Sequence, residues 1–128
     1  MVLGIDHVSV LVSDLARSLH FYHRLLGLSL QERPNLGFDG AWLAVGQTQS
    51  IHLLCLPNPD AHRVAPIHVG RDRHLALGVT TTEVIKQRLI AENIPFTPSQ
   101  SGRDALFCRD PDGNGIELVT IEVRPLSS

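Results

Sequence analysis

The sequence predicts an α+β fold built from two copies of one βαβββ unit. Three observations predict it. The segment Ile5-Asp6-His7-Val8-Ser9-Val10-Leu11-Val12 has a counterpart in Asp72-Arg73-His74-Leu75-Ala76-Leu77-Gly78-Val79. Ile51-His52-Leu53-Leu54, near the end of the first half, is matched by Ile116-Glu117-Leu118-Val119 near the end of the second. The spacings nearly repeat, with 45 residues from His7 to His52 and 43 from His74 to Glu117. An internal duplication follows, and these four residues hold equivalent places in it.

Each element has a local reason. Residues 5–12 are rich in Val and Leu and predict a strand, and Ser13-Asp14 supplies a helix cap. Leu15, Leu19, Tyr22 and Leu26 recur at helical spacing with Leu25 beside them, and Gly27 provides the left-handed stop. Leu28 to Arg33 reads as a strand and Pro34 to Gly40 as a loop. Ala41 to Val45 and Ser50 to Leu56 read as a hairpin around Gly46. Pro57 to Gly70 holds three prolines and no periodicity, which predicts a linker.

The order then recurs. Arg73 to Val79 predicts a strand. Thr80 and Glu83 have capping-box spacing ahead of a helix that contains Val84, Ile85, Leu89 and Ile90. Asn93 and Pro95 stop that helix. Ile94 to Thr97 predicts a strand, and Pro98 to Asp104 a loop. Ala105 to Arg109 and Gly115 to Val123 form a second hairpin over Asp110-Pro111-Asp112-Gly113. The chain is thus one domain, 1–128, with module one at 5–56, a linker at 57–70 and module two at 71–123.

A lone unit of this size buries too little surface to be comfortable. Two units are therefore expected to pair into a curved, partly closed mixed sheet, with helices outside and a concave cleft. Side chains alternate along a strand. If Val8, Val10 and Val12 face the helix, His7, Ser9 and Leu11 face the hollow. The same parity sends His74 and Ala76 there, and sets His52 with Leu54, and Glu117 with Val119, opposite Leu53 and Leu118. Three imidazoles and one carboxylate on one cavity make a metal-ligand set.

Bulk properties narrow the partners. The net charge of −2 with neutral His, and the absence of a basic stripe, exclude nucleic acid as an expected partner. Apolar runs are too short for a membrane-spanning helix. The amino terminus lacks a basic region, so no signal peptide is expected. Cys55 and Cys108 have no CxxC spacing and read as core thiols of a reduced, cytoplasmic protein. His20, His23, His62 and His68 read as surface residues, and Arg71, Arg73 and Arg109 as solvated.

The opening Ile-Asp-His-Val-Ser-Val, Asp14, Phe21-Tyr22, and the closing Asp110-Pro111-Asp112-Gly113-Asn114-Gly115-Ile116-Glu117-Leu118 carry a resemblance. From about Ile5 to Val123 the chain resembles the vicinal oxygen chelate superfamily, the glyoxalase, bleomycin resistance protein and dioxygenase family. The resemblance implies a metal held by His7, His52, His74 and Glu117. Where glyoxalase I carries a second carboxylate, this chain has His52, which is either the fourth ligand or a residue facing the substrate. Fosfomycin thiol transferases and extradiol dioxygenases use two His and one Glu, matching His7, His74 and Glu117. The transferases' Tyr and Lys are replaced here by Phe107 and Thr97.

The expected function is that of a metal-dependent, glyoxalase I-like lyase or isomerase on a small substrate that chelates through vicinal oxygens. A thiol transferase, with a thiol co-substrate, or a ring-cleaving dioxygenase is the second reading. A drug-sequestering protein is the third. One divalent transition ion per site is expected, from Fe, Ni, Co, Mn or Zn, because His and carboxylate ligands suit these. Glu117 is the expected general base. Ser9, Leu54, Ser101, Arg103 and Phe107 are the expected substrate contacts, Ser101 and Arg103 from a loop able to close over an anion. Relatives of this size commonly pair module one of one chain with module two of another. A homodimer is therefore expected, taking His7 and His52 from one chain and His74 and Glu117 from its mate.

Overall fold

The protein is described from a computed structural model, over residues 1–122. It divides into two compact units at Arg63–Val64. Each unit runs βαβββ, as the α+β reading requires.

In the first unit β1 is His7–Leu11, α1 Leu15–Leu19, β2 Ser29–Gln31, β3 Gly40–Val45 and β4 Gln49–Leu54. In the second, β5 is His74–Val79, α2 Glu83–Ala91, β6 Phe96–Pro98, β7 Ala105–Arg109 and β8 Gly115–Thr120. The first sheet is ordered β1-β4-β3-β2 and the second β5-β8-β7-β6. In both, the outer pair β1–β4 or β5–β8 is parallel and the remaining pairs are antiparallel. The duplication therefore extends to strand order and direction.

The parity of the strands decides what is buried. In the first unit Leu43, Ile51 and Leu53 are buried with Val12, Phe21, Tyr22 and Leu25. In the second, Leu77, Leu106, Ile116 and Leu118 are buried with Ile85 and Leu89. Each unit thus has its own apolar core. The side chains expected to be functional alternate with these core positions.

Several local expectations change. The first helix is α-helical only to Leu19, and His20–Leu25 is a π-helical turn. Leu26 N–H reaches back to the Phe21 carbonyl at 2.9 Å, five residues away. The wider turn lets Phe21, Tyr22 and Leu25 all be buried. Asp14 caps α1 through Arg17 N–H, and Gly27 stands at φ +79° past the end, both as expected.

The capping box at Thr80 does not form. Thr82 is the N-cap, the Glu83 N–H bonds the Thr81 hydroxyl, and the Thr82 hydroxyl is drawn instead to Asp104. Val84 and Ile90 are half exposed rather than core. Within the predicted linker, Val69–Arg71 forms a short 3-10 turn. β8 ends at Thr120, and the predicted continuation to Val123 lies outside the described residues.

Candidate functional site

Register places the first pair of candidates. β1 and β4 run parallel with Ser9 opposite His52 and His7 opposite Ser50. His7 is therefore diagonal to His52 on one face, a distance that ring systems span. Their imidazoles stack with centroids 4.0 Å apart and planes 13° from parallel. Across β4, Trp42 is directly opposite His52, and its indole stacks at 4.3 Å and 9°. His52 is thus sandwiched, and only its edge is open to a ligand.

The ring edges are also specified. His7 Nδ1 lies 2.7 Å from the Asp6 carboxylate, which only accepts, so Nδ1–H donates and leaves Nε2 as the nitrogen that bears the lone pair in a neutral ring. His52 Nε2 lies 3.1 Å from the Ser50 hydroxyl. The His52 pKa is lowered, first by burial and then by the neighbouring His7 and, less, Arg33, with Asp6 pulling the other way. Neutral imidazole is the form that can ligate a metal.

The second pair follows the same diagram with different chemistry. β5 and β8 are parallel with Ala76 opposite Glu117, so His74 is diagonal to Glu117. His74 Nδ1 donates to the Asp72 carbonyl at 2.9 Å. Its Nε2 then faces Glu117 Oε1 at 3.2 Å. Glu117 is only 8% exposed. A nitrogen lone pair and a carboxylate oxygen at that distance repel unless a proton or a cation lies between them.

Phe107 is opposite Glu117, as Trp42 is opposite His52. Its ring meets the His74 ring edge-on at 5.5 Å and the His68 ring edge-on at 5.3 Å.

The donors fit a transition metal by their own chemistry. Metal-bound imidazoles almost always donate their second N–H to a carboxylate or carbonyl. His7 does so to Asp6 and His74 to Asp72. The candidates come as two pairs, one in each unit. Among the described residues no group of three or more His, Cys, Asp or Glu forms a ready cage.

The remaining candidates divide. Ser9 is beside His52 in register, and Leu54 shares the His52 face by parity. Phe107 is buried against His74. Ser101 and Arg103 sit in an exposed loop tied mainly to itself, through Ser99 to Ser101 and Ser101 to the Arg103 N–H. Neither hydrogen-bonds to His74 or Glu117.

Three surface or solvent assignments and one core assignment are corrected. His68 is half buried: its Nδ1 accepts the Gly70 N–H, and Phe107 covers its ring. His23 is half buried because its Nδ1 donates to the Leu28 carbonyl at 2.7 Å. Arg109 is not simply solvated, since it clamps Asp72, the Gly113 carbonyl and the Pro66 carbonyl. Cys55 is only half buried. Cys108 is core, and burial followed by the Asp110 carboxylate pushes its thiol up to about 12, which keeps it protonated and inert.

Sequence reasoning missed Trp42, Asp6, Asp72 and His68 as parts of the sites. For Trp42 a signal existed. It precedes His52 by ten residues, as Phe107 precedes Glu117, so the duplication pairs the two aromatic rings.

Two βαβββ units, each carrying a donor pair across its two parallel strands, define a glyoxalase-type protein. The chain belongs to the Glyoxalase/Bleomycin resistance protein/Dioxygenase superfamily, whose family model matches residues 4–118. It is similar to Glyoxylase I 4 of Arabidopsis thaliana, 33% identical over 96% of this chain and 74% of that protein. It is also similar to the glutathione transferase FosA of Serratia marcescens, 32% identical over 92% of this chain and 81% of that one. Among solved structures, a glyoxalase-family protein from Bacillus anthracis superposes with a TM-score of 0.76 at 26% identity, covering 95% of this chain and 98% of that one. Among the described residues no helix is long and apolar enough to cross a membrane.

Proposed function

We propose that this chain is a metal-dependent enzyme of the vicinal oxygen chelate type, a glyoxalase I-like lyase or isomerase acting on a small substrate. One observation carries the reading. His74 Nε2 and Glu117 Oε1 meet at 3.2 Å with the other ring nitrogen already committed to Asp72. With a neutral His74 ring these are two acceptors, which a shared proton or a bound cation can join, and the backing of the imidazoles by Asp72 and Asp6 supports the cation. His7, His74 and Glu117 would hold one divalent transition ion from Fe, Ni, Co, Mn or Zn, with His52 as fourth ligand. When bound, the ion supplies Lewis acidity that stabilises an oxyanion of the substrate. Glu117 is the group to take a proton at Oε1 from a carbon next to a carbonyl.

The likeness to Glyoxylase I 4 supports the lyase reading. The likeness to FosA supports the alternative of a thiol transferase with a thiol co-substrate. A third option, drug sequestration, needs no metal and is separated from both by metal content. We assign the chain to a reducing, cytoplasmic setting, in line with its two free thiols.

The two preformed pairs also suit a homodimer in which His7 and His52 of one chain meet His74 and Glu117 of its mate. A twofold dimer then holds two equivalent sites. The test has two parts. Elemental analysis after exposure to each metal should find one ion per chain, and a protein that retains none of the five ends the metalloenzyme reading. His7→Ala and Glu117→Ala chains, unfolded and refolded together, should regain one metal site per mixed dimer. If mixed dimers form without metal recovery, the sites are not shared.

A further inference from the structure

Beside the His7–His52–Trp42 stack lies a cation with no counter-charge. Arg33 is half buried, yet no carboxylate lies within ion-pairing distance of it among the described residues. Its guanidinium is fixed by neutral groups alone. One nitrogen, Nη2, donates to the Phe38 carbonyl at 2.9 Å, and the Phe38 ring lies under the guanidinium carbon at 4.9 Å. The Nε–H is buried and has no acceptor. Buried charges are normally paired, and buried donors are normally bonded.

Gly40 fixes where this cation sits. A Cβ on Gly40 would meet Arg33 Nη2 at 3.0 Å and its guanidinium carbon at 3.1 Å. The same Cβ would run into the Leu53 carbonyl of the neighbouring strand, so backbone and guanidinium close in on Gly40 together. The guanidinium therefore lies against the backbone of Gly40, two residues from Trp42 on β3. The field of Arg33 is felt at His52, where it is one cause of the lowered pKa. Trp42 adds a second buried donor without an acceptor, Nε1–H. A cavity of about 500 Å³ opens at Glu32, Arg33 and Pro34. Glu32 forms no ion pair with Arg33 across it.

We propose that Arg33 is an anion-binding residue of the first unit, and that the ligand taken on the His52 face carries an oxyanion, a carboxylate or a phosphate-type group. Guanidinium N–H groups match the oxygens of either. The Nε–H groups of Arg33 and Trp42 are closed off from solvent, so the donor is the part of the guanidinium that reaches the cavity at Glu32 and Pro34. This deepens the reading of the His7–His52 face as a ligand-bearing face and rests on it for the site's purpose. It does not rest on the metal.

The experiment uses Trp42, the only tryptophan of the chain, as the reporter. Inorganic phosphate and acetate are titrated separately into the full-length protein at constant ionic strength, with chloride as background and acetamide as the neutral control. Each titration is run on EDTA-treated protein and again after zinc addition. Saturable change in Trp42 fluorescence is expected with at least one of the two anions and not with acetamide, in both metal states. Arg33→Gln should weaken that anion about tenfold or more, the scale of a lost hydrogen bond to a charged group. Arg33→Lys keeps the charge but loses the planar fork of N–H donors, and should weaken it by a smaller factor. Response to phosphate alone or acetate alone identifies the oxyanion class. No saturable response to either anion overturns the proposal, as does an Arg33→Gln affinity equal to wild type. If Arg33→Gln does not fold, wild-type affinity in Arg33→Lys overturns it. Zinc binding is read separately, so its failure would sink the metalloenzyme reading while leaving the anion result standing.

Discussion

The two units share a strand diagram and differ in the chemistry hung on it. Position by position, His52 corresponds to Glu117, Trp42 to Phe107, Ser9 to Ala76 and Ser50 to Gly115. The first unit stacks imidazole between imidazole and indole, with the ring planes nearly parallel. The second sets an imidazole against a carboxylate, with a phenyl ring edge-on. A backbone register thus fixes where donors point, while the side chains set charge and access. In the first unit His52 is covered on both ring faces. The second carries the negative charge that a metal ion needs.

The largest test of this contrast removes the second pair. His74→Ala leaves Glu117 alone and should lower affinity for a divalent transition metal by about a hundredfold or more, since even supporting groups cost 10–100-fold. His52→Gln should cost less, because the His74–Glu117 pair stays whole. Competition against a chromogenic chelator measures both. Equal losses would mean that the pairs are equivalent and that charge does not distinguish them.

The hairpin turns of the two units provide a second contrast. The Asp110 carboxylate is buried and accepts from Asp112 N–H, Asn114 N–H and Asn114 Nδ2. Gly113, at φ +86°, completes that turn. The turn at Gly46 has no such brace, and the Thr48 side chain makes no hydrogen bond among the described residues. Asp110→Ala should lower stability by about 2–3 kcal/mol by leaving buried donors unpaired. Thr48→Ala should stay within about 0.5 kcal/mol of wild type. Urea denaturation reads both, and similar values for the two would refute the distinction.

A third variant makes the units more alike. His52→Glu installs a carboxylate where the second unit has Glu117. Wild type should show weak or no methylglyoxal–glutathione lyase activity, and the variant should gain some. A wild-type turnover of roughly 10 per second or more would show that the second carboxylate is dispensable.

The smallest effect concerns acid. Burial and the positive neighbours lower the His52 pKa from its ordinary 6.5 in the folded state. The unfolded chain then takes up the proton first. The stability linked to neutral His52 is full above about pH 6.5 and is lost as pH falls from there through the lowered folded value. In EDTA-treated protein, His52→Gln should flatten the decline of stability between neutral pH and pH 5. An unchanged profile would mean that other groups govern it.

Much of the site was legible because strands alternate with period two. That rule, applied to Ile-His-Leu-Leu and Ile-Glu-Leu-Val, put His52 and Glu117 opposite the core positions Leu53 and Leu118, which are buried. Duplication then related the four candidates without any structure. The same reasoning failed at His68 and Arg109, whose surroundings come from residues distant in the chain. It also failed at the first helix, where the need to bury Phe21, Tyr22 and Leu25 together widened a turn that spacing alone reads as regular.

By itself, then, the sequence determined the βαβββ repeat, the core faces and the family, because these depend on local pattern and turn chemistry. Tertiary structure decided which ring covers His52, which nitrogen of His74 is committed, and where the Arg33 guanidinium comes to rest. Those outcomes depend on inter-strand register, on a backbone carbonyl at Asp72 and on space left by Gly40. Backbone groups and empty space carry no residue signature, so only the folded chain reveals them.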